Sequence, residues 1–187
     1  MAFLDRSKIA EMGFSAVGKN VLISDRASFY NSSNISIGNN VRIDDFCVFS
    51  AGSSGIKIGS YIHIAAYSSL IGAGKITLED FSNISSRVSI YSSNDDYSGA
   101  YMTNPMIPDE YTNVVYADVT IGKHVIVGSG TVILPGVTLE EGVAVGALSL
   151  VSKKCHAFGI YSGVPAKRIK ERKRDLLDLE RRFLSSK

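Results

Sequence analysis

The stretch Ile121-Gly122-Lys123-His124-Val125-Ile126, Val127-Gly128-Ser129-Gly130-Thr131-Val132, Ile133-Leu134-Pro135-Gly136-Val137-Thr138, Leu139-Glu140-Glu141-Gly142-Val143-Ala144, Val145-Gly146-Ala147-Leu148-Ser149-Leu150 repeats one six-residue pattern without a break. An aliphatic residue opens each block. Gly or a small polar residue usually follows it, and a small or β-branched residue takes the fifth place. This is neither the 3.6 period of a helix nor the alternation of a simple strand. It is an internal repeat, which decides the architecture before any other signal.

The same pattern recurs upstream. It runs Ile37-Gly38-Asn39-Asn40-Val41-Arg42 and Ile43-Asp44-Asp45-Phe46-Cys47-Val48, then Ile58-Gly59-Ser60-Tyr61-Ile62-His63 and Ile64-Ala65-Ala66-Tyr67-Ser68-Ser69. It returns at Leu78-Glu79-Asp80-Phe81-Ser82-Asn83 and Ile84-Ser85-Ser86-Arg87-Val88-Ser89, and a weaker copy begins at Val17. A hexad holds one short strand and one turn. Its first and fifth side chains point inward, while Gly or Asn between them allows positive φ. Stacked units then bury a continuous core, each coil against the next. A β-sandwich also has short strands, but its turns come about every 8–12 residues. The hexads therefore predict an all-β chain folded as a parallel β-helix.

On these hexads the chain resembles the hexapeptide-repeat acyltransferases over nearly its whole length. The most specific part is Ile121 to Lys170, which includes Gly163-Val164-Pro165-Ala166-Lys167. The resemblance is to galactoside, maltose and chloramphenicol-type acetyltransferases, and to relatives that acetylate bacterial polysaccharides and nucleotide-linked sugars. It implies a left-handed parallel β-helix with three hexads to a triangular coil. The left hand comes from the resemblance alone, since ordinary crossover rules favour right-handed connections. It also implies a homotrimer, with acetyl-CoA in a groove between subunits and a sugar-type acceptor beside the long loop.

The 187 residues suffice for one domain with a real core, and 45% hydrophobic content fits a soluble protein. A net charge of +2 gives no case for nucleic-acid binding by bulk charge. The basic residues cluster late, from Lys167 to Arg174. Cys47 and Cys155 are the only cysteines, and Cys47 occupies an inward fifth place. A disulfide framework is not expected, and a reducing cytoplasm fits. No signal peptide or membrane span is visible.

With the resemblance, the organisation expected is a single acyltransferase domain over residues 1–187. Phe3, Leu4, Ile9 and Met12 mark a short amphipathic N-terminal helix. The first repeat array runs over 17–90 and the second over 119–153. Between them, 91–118 carries Asn94, Asp95, Asp96, Gly99, Pro105 and Pro108 and reads as a long active-site loop. Pro165 is expected to open a helix over 165–185, because Ile169, Leu176 and Phe183 recur every seven residues.

The family's sugar O-acetyltransferases place a histidine just after the first array as general base. Aligning the hexads puts Asp95 there instead, within Tyr91-Ser92-Ser93-Asn94-Asp95-Asp96-Tyr97. Three readings stay open for the catalytic group. His63 is one candidate, about one coil before the loop. Asp95 or Asp96 is another, if desolvation raises its pKa. The third is an amine acceptor that needs only positioning. Asn94, Asp96 and Tyr97 are candidates for holding the acceptor. The resemblance carries CoA contacts to Ser129, Gly146, Ala147, Ser152 and Lys153, with Lys167 and Lys170 for phosphate. The histidines and cysteines show no metal-ligand spacing, so no metal is expected.

The function expected is a CoA-dependent acetyltransferase that moves the acetyl group of acetyl-CoA to a hydroxyl or amino group of a sugar, polysaccharide precursor or nucleotide sugar. Transfer is direct, since no activated Ser or Cys is evident. The alternatives are a serine or other small-molecule acetyltransferase, a zinc carbonic anhydrase-like β-helix, and a non-catalytic scaffold.

Overall fold

The computed structural model describes residues 2–186. Three parallel sheets form the faces of a solenoid, and consecutive short strands visit the faces in turn. The first face stacks Ala16–Val17, Ile35–Ile37, Ile56–Ile58, Ile76–Leu78, Val119–Ile121 and Thr138–Leu139. The second stacks Val21–Ile23, Val41–Ile43, Ile62–Ile64, Asn83–Ile84, Ile126–Val127, Ala144–Val145 and Gly159–Ser162. The third stacks Ser28–Tyr30, Val48–Ala51, Ser69–Gly72, Ser89–Tyr91, Val132–Ile133 and Leu150–Val151. This is the parallel β-helix that the hexads imply.

Register explains why the inward slots are aliphatic. Ile37 pairs with Ile58, Ile58 with Leu78, Leu78 with Ile121, and Ile121 with Leu139. On the second face Ile23, Ile43, Ile64, Ile84, Val127 and Val145 form a like column. Phe29, Phe49, Leu70, Ile90, Ile133 and Val151 do so on the third. Most of these side chains are fully buried. Each complete burial of this kind contributes about 1.5–3 kcal/mol before entropy is counted.

The corners are sharp and adopt positive φ. Between the first and second faces this position is filled by Asn20, Asn40, Tyr61, Phe81, His124, Gly142 and Phe158. A non-glycine residue there costs about 1–2 kcal/mol, and stacking along the column offsets it. Tyr61 lies flat on Phe81 at 4.8 Å between centroids, and Phe81 on His124 at 5.0 Å. A second column, Phe46 on Tyr67 at 4.9 Å, runs along the corner between the second and third faces, with Arg26 and Arg87 over its ends.

Both ends of the solenoid are covered. At the N-terminus helix α1, Arg6–Glu11, is capped by Asp5, whose carboxylate accepts from Lys8 N at 2.9 Å, and it buries Ile9. Phe3 lies before it, bridged to Ser24. At the C-terminus the expected helix over 165–185 starts ten residues late. Lys167–Glu171 is a strand, antiparallel to Gly159–Ser162, and helix α2 spans Asp175–Ser185. The reason is the open edge of the last coil. Unpaired N–H and C=O groups of Gly159–Ser162 are satisfied by the returning chain, a stronger demand than the seven-residue spacing that joins Ile169 to Leu176.

Helix α2 lies across the aromatic column. Phe183 meets Tyr61 and Phe81 edge-on at 5.4 and 6.2 Å. The Glu180 carboxylate, 9% exposed, accepts from Lys123 at 2.6 Å and His124 at 2.8 Å. Burial pushes the Glu180 carboxyl up, but the bonds from Lys123 and His124 outweigh it and hold it below the ordinary 4.5. A carboxyl lowered in the folded state contributes stability above its unfolded pKa and loses it as pH falls through the folded one. Thermal midpoints measured across acid pH should therefore fall more steeply for the wild type than for Glu180→Gln once pH drops below about 4.5.

Candidate active site

The regular coil is interrupted once. The chain leaves the third face after Tyr91 and rejoins the first at Val119, so Ile76 pairs directly with Val119 and Ser89 with Val132. The excursion starts as a two-stranded stem, with Ser93 opposite Tyr116 and Asn94 opposite Val115. Its base is tied to the coil below. Ser92 Oγ donates to Gly74 O at 2.7 Å, Ala117 N to Ser92 O at 3.0 Å, and Lys75 N to Asp118 Oδ1 at 2.9 Å. Gly72, at φ +145°, admits this approach, since a Cβ there would collide with Ser92 Oγ and Ser93 N.

A cavity of about 430 Å³ opens where the stem meets the second array. Ser93, Asn94 and Asp95 give its lining a polar part, Tyr91 and Tyr97 also line it, and Val114, Val132 and Leu134 supply an aliphatic part. That volume is within the usual range for small-molecule sites.

The two adjacent acids have separate tasks. Asp96 builds the loop: its carboxylate accepts from Ser98 N at 2.9 Å, Ser98 Oγ at 2.9 Å and Tyr101 N at 3.1 Å. Those bonds, led by the one from the Ser98 amide, hold its carboxyl below the ordinary 3.8. A carboxylate so held does not serve as a base of raised pKa. Asp95 lines the cavity and makes no hydrogen bond or ion pair among the described residues.

His63 sits elsewhere, on the second face between Arg42 and Asn83 of the neighbouring strands. Its Nε2 donates to Asp44 Oδ2 at 2.8 Å, and Asp44 Oδ1 accepts from Arg42 Nε at 2.7 Å. Burial raises the Asp44 carboxyl, but His63 and Arg42 outweigh it and keep it low. The chain thus does not bring His63 into the cavity with Asp95. The other histidines are engaged too. His124 is stacked on Phe81 and bonded to Glu180, and His156 Nδ1 lies 3.7 Å from Glu140. Among the described residues no His, Cys, Asp and Glu group is placed to hold a metal. Burial pushes the thiols of Cys47 and Cys155 up to about 11, so neither is an activated nucleophile.

The residues matched to CoA contacts are divided. Ser129 and Ala147 are exposed in consecutive coils at the corner between the second and third faces, where Leu148 N donates to Ser129 O at 2.9 Å. Gly146 serves packing. Its N–H donates to Tyr161 O, its carbonyl accepts from Thr131 and Ser149, and a Cβ would come 2.8 Å from Ser162 Oγ. Ser152 and Lys153 are exposed just past the last third-face strand, while Lys167 and Lys170 pair with Ser162 and Ile160 on the terminal hairpin. Reading the sequence missed Ser93, Val114, Val132 and Leu134. One signal was present: Leu134 stands in the second place of its hexad, where Gly or a small polar residue is usual.

Three similarities bear on this site. An Escherichia coli dTDP-4-amino-4,6-dideoxy-D-glucose acyltransferase is 62% identical over 186 residues, covering 100% of this chain and 97% of that protein. A variant of AntD, an N-acyltransferase from Bacillus cereus solved with dTDP-4-amino-4,6-dideoxyglucose and coenzyme A, superposes with a TM-score of 0.94 at 48% identity, covering 100% of this chain and 99% of the other. AntD with dTDP and 3-hydroxybutyryl-CoA gives 0.94 at 50% identity, over 98% and 97% of the two chains. No protein-family model matches the chain. The chain belongs to the hexapeptide-repeat acyltransferases and is an acyltransferase.

Because Asp96 holds the loop but no part of the core, Asp96→Ala should leave global stability within about 0.5 kcal/mol. Limited proteolysis between the two stem strands should become faster, read by mass spectrometry of the fragments.

Proposed function

We propose that this enzyme acylates the 4-amino group of a dTDP-linked 4-amino-4,6-dideoxyhexose, with acetyl-CoA as donor. The observation that carries this reading is the Asp95 carboxylate, which is unengaged among the described residues and lines a cavity at the loop base. The E. coli relative, named for that acceptor, and the AntD complexes with coenzyme A support it. We take acetyl as the donor group from the resemblance to acetyltransferases, while AntD was solved with a longer acyl-CoA.

In this reading Asn94 and Tyr97 hold the sugar and Asp95 accepts a hydrogen bond from its amine. The amine lone pair attacks the thioester carbonyl, so the C–N bond forms and the carbonyl electrons move to oxygen. The nitrogen becomes positive and strongly acidic, and its proton passes to Asp95. The oxyanion collapses, the C–S bond breaks, and the coenzyme A thiolate leaves to take up a proton. No raised carboxyl pKa is needed, because the proton lost is that of a cationic nitrogen rather than of an alcohol. Ser129, Ala147, Ser152 and Lys153 line the donor's path, with Lys167 and Lys170 toward its phosphates, and Gly146 lets the coils close behind it.

The working unit in this reading is a homotrimer of one domain, 1–187, in the cytoplasm. Exposed loop residues such as Tyr97 and Met106 agree with coverage by a second copy. Among the described residues no helix is long and apolar enough to cross a membrane. His63, outside the cavity of its own chain, would reach the reaction only from a neighbouring copy.

Asp95→Asn should lower kcat/KM for the amino sugar by about 10²–10⁴-fold, with donor binding by calorimetry unchanged. Thiol release on the dTDP-amino sugar measures the first. Full activity in Asp95→Asn together with loss in His63→Ala would move the base to His63.

A further inference from the structure

The cavity lining is chemically mixed, and its aliphatic residues have no task in the transfer step. Val132 and Leu134 come from the third face of the second array, and Val114 stands just before the returning strand of the loop stem, Val115–Tyr116. All three are aliphatic in positions that the β-helix core does not use. Val132 and Leu134 flank the inward Ile133, which is fully buried, so they point away from the core. Thr would fill either outward slot as well, as Thr77, Thr120 and Thr138 do on the first face.

The proposed acceptor supplies an apolar group at the right place. Its C6 is a methyl, attached to C5, the ring carbon next to the one that bears the amine. With the amine at Asp95, the methyl stands on one adjacent ring carbon and the C3 hydroxyl on the other, and of the two only the methyl suits the aliphatic part of the lining. We propose that Val114, Val132 and Leu134 form a methyl-accepting wall that selects 6-deoxy over 6-hydroxy amino sugars. This rests on the acceptor reading given above. A hydroxyl set against the wall loses its water partners and gains no hydrogen bond in return. An aliphatic pocket rejects an added hydroxyl by on the order of 10²-fold, not more.

The test compares kcat/KM for dTDP-4-amino-4,6-dideoxyglucose and dTDP-4-amino-4-deoxyglucose in the wild type and in Val132→Thr and Leu134→Asn. Val132→Thr keeps the side-chain shape and the β-branch, so the fold is kept. Both variants are also run with acetyl-CoA and butyryl-CoA. The wall requires a wild-type preference of on the order of 10²-fold for the 6-deoxy sugar, reduced to less than about tenfold in at least one variant, with the acyl preference unchanged. Equal wild-type use of the two sugars overturns the wall and leaves the transfer reading standing. A changed acyl preference at constant sugar preference also overturns it, by assigning these side chains to the thioester. If the wild type turns over neither sugar, the transfer reading itself has failed, and the wall with it.

Discussion

The whole molecule depends on stacking like on like, one coil above another. Ile35 pairs with Ile56, Ile56 with Ile76, and Ile76 with Val119. No coil can bury its own inward face, because the partner for each side chain is the same slot in the next coil. The stack also dictates the backbone. Three flat faces need sharp corners, and the corner residues take positive φ, which side chains accept only at a cost. The aromatic columns at two corners follow from this. Tyr61, Phe81 and His124 recur at one position of successive coils, so their rings are placed one above another whether or not any ligand exists.

A structure so regular has little freedom for chemistry on its faces. The excursion between Tyr91 and Val119 escapes the register, because the coils on either side pair directly across its base. Within it the labour is divided between neighbouring side chains. Asp96 spends its three bonds on shaping the loop, and Asp95 is left facing the cavity. The aliphatic lining comes from Val132 and Leu134 of the second array and from Val114 of the loop. A shaped loop set against a regular face is a sound way to hold reacting groups in position.

How much of this was legible follows from which slots the physics constrains. The inward slots of Ile121 to Leu150 tolerate few residue types, so the hexads disclosed the solenoid. The loop was legible as a break in that pattern, and Asn94, Asp95 and Tyr97 within it do line one cavity. Outward slots obey no such constraint. Val132 and Leu134 looked like ordinary repeat residues, since only the return of Val114 makes them a wall. His63 looked near the loop in sequence, but a shift of one hexad moves a residue to another face of the triangle, and its strand lies on the second face. The start of α2 was misread because Ile169 falls in phase with Leu176 and Phe183. A sequence period says nothing about an open sheet edge, and that edge claims Lys167–Glu171.

In the proposed reading, Asp95 in the place where a histidine was expected after the first array has a physical meaning of its own. An alcohol must give up its proton by the time it attacks, and its own pKa is so high that a base with a pKa near the operating pH is needed. Histidine suits that demand. An amine attacks through its lone pair and sheds a proton afterwards, from a nitrogen that has become cationic. A carboxylate of ordinary basicity can take that proton, and before attack it can hold the N–H and aim the lone pair. In the proposed reading the residue at this position therefore matches the nucleophile. There a carboxylate with no partner among the described residues is better matched to nitrogen than to oxygen, and the aliphatic part of the same lining is better matched to a deoxy sugar than to a fully hydroxylated one.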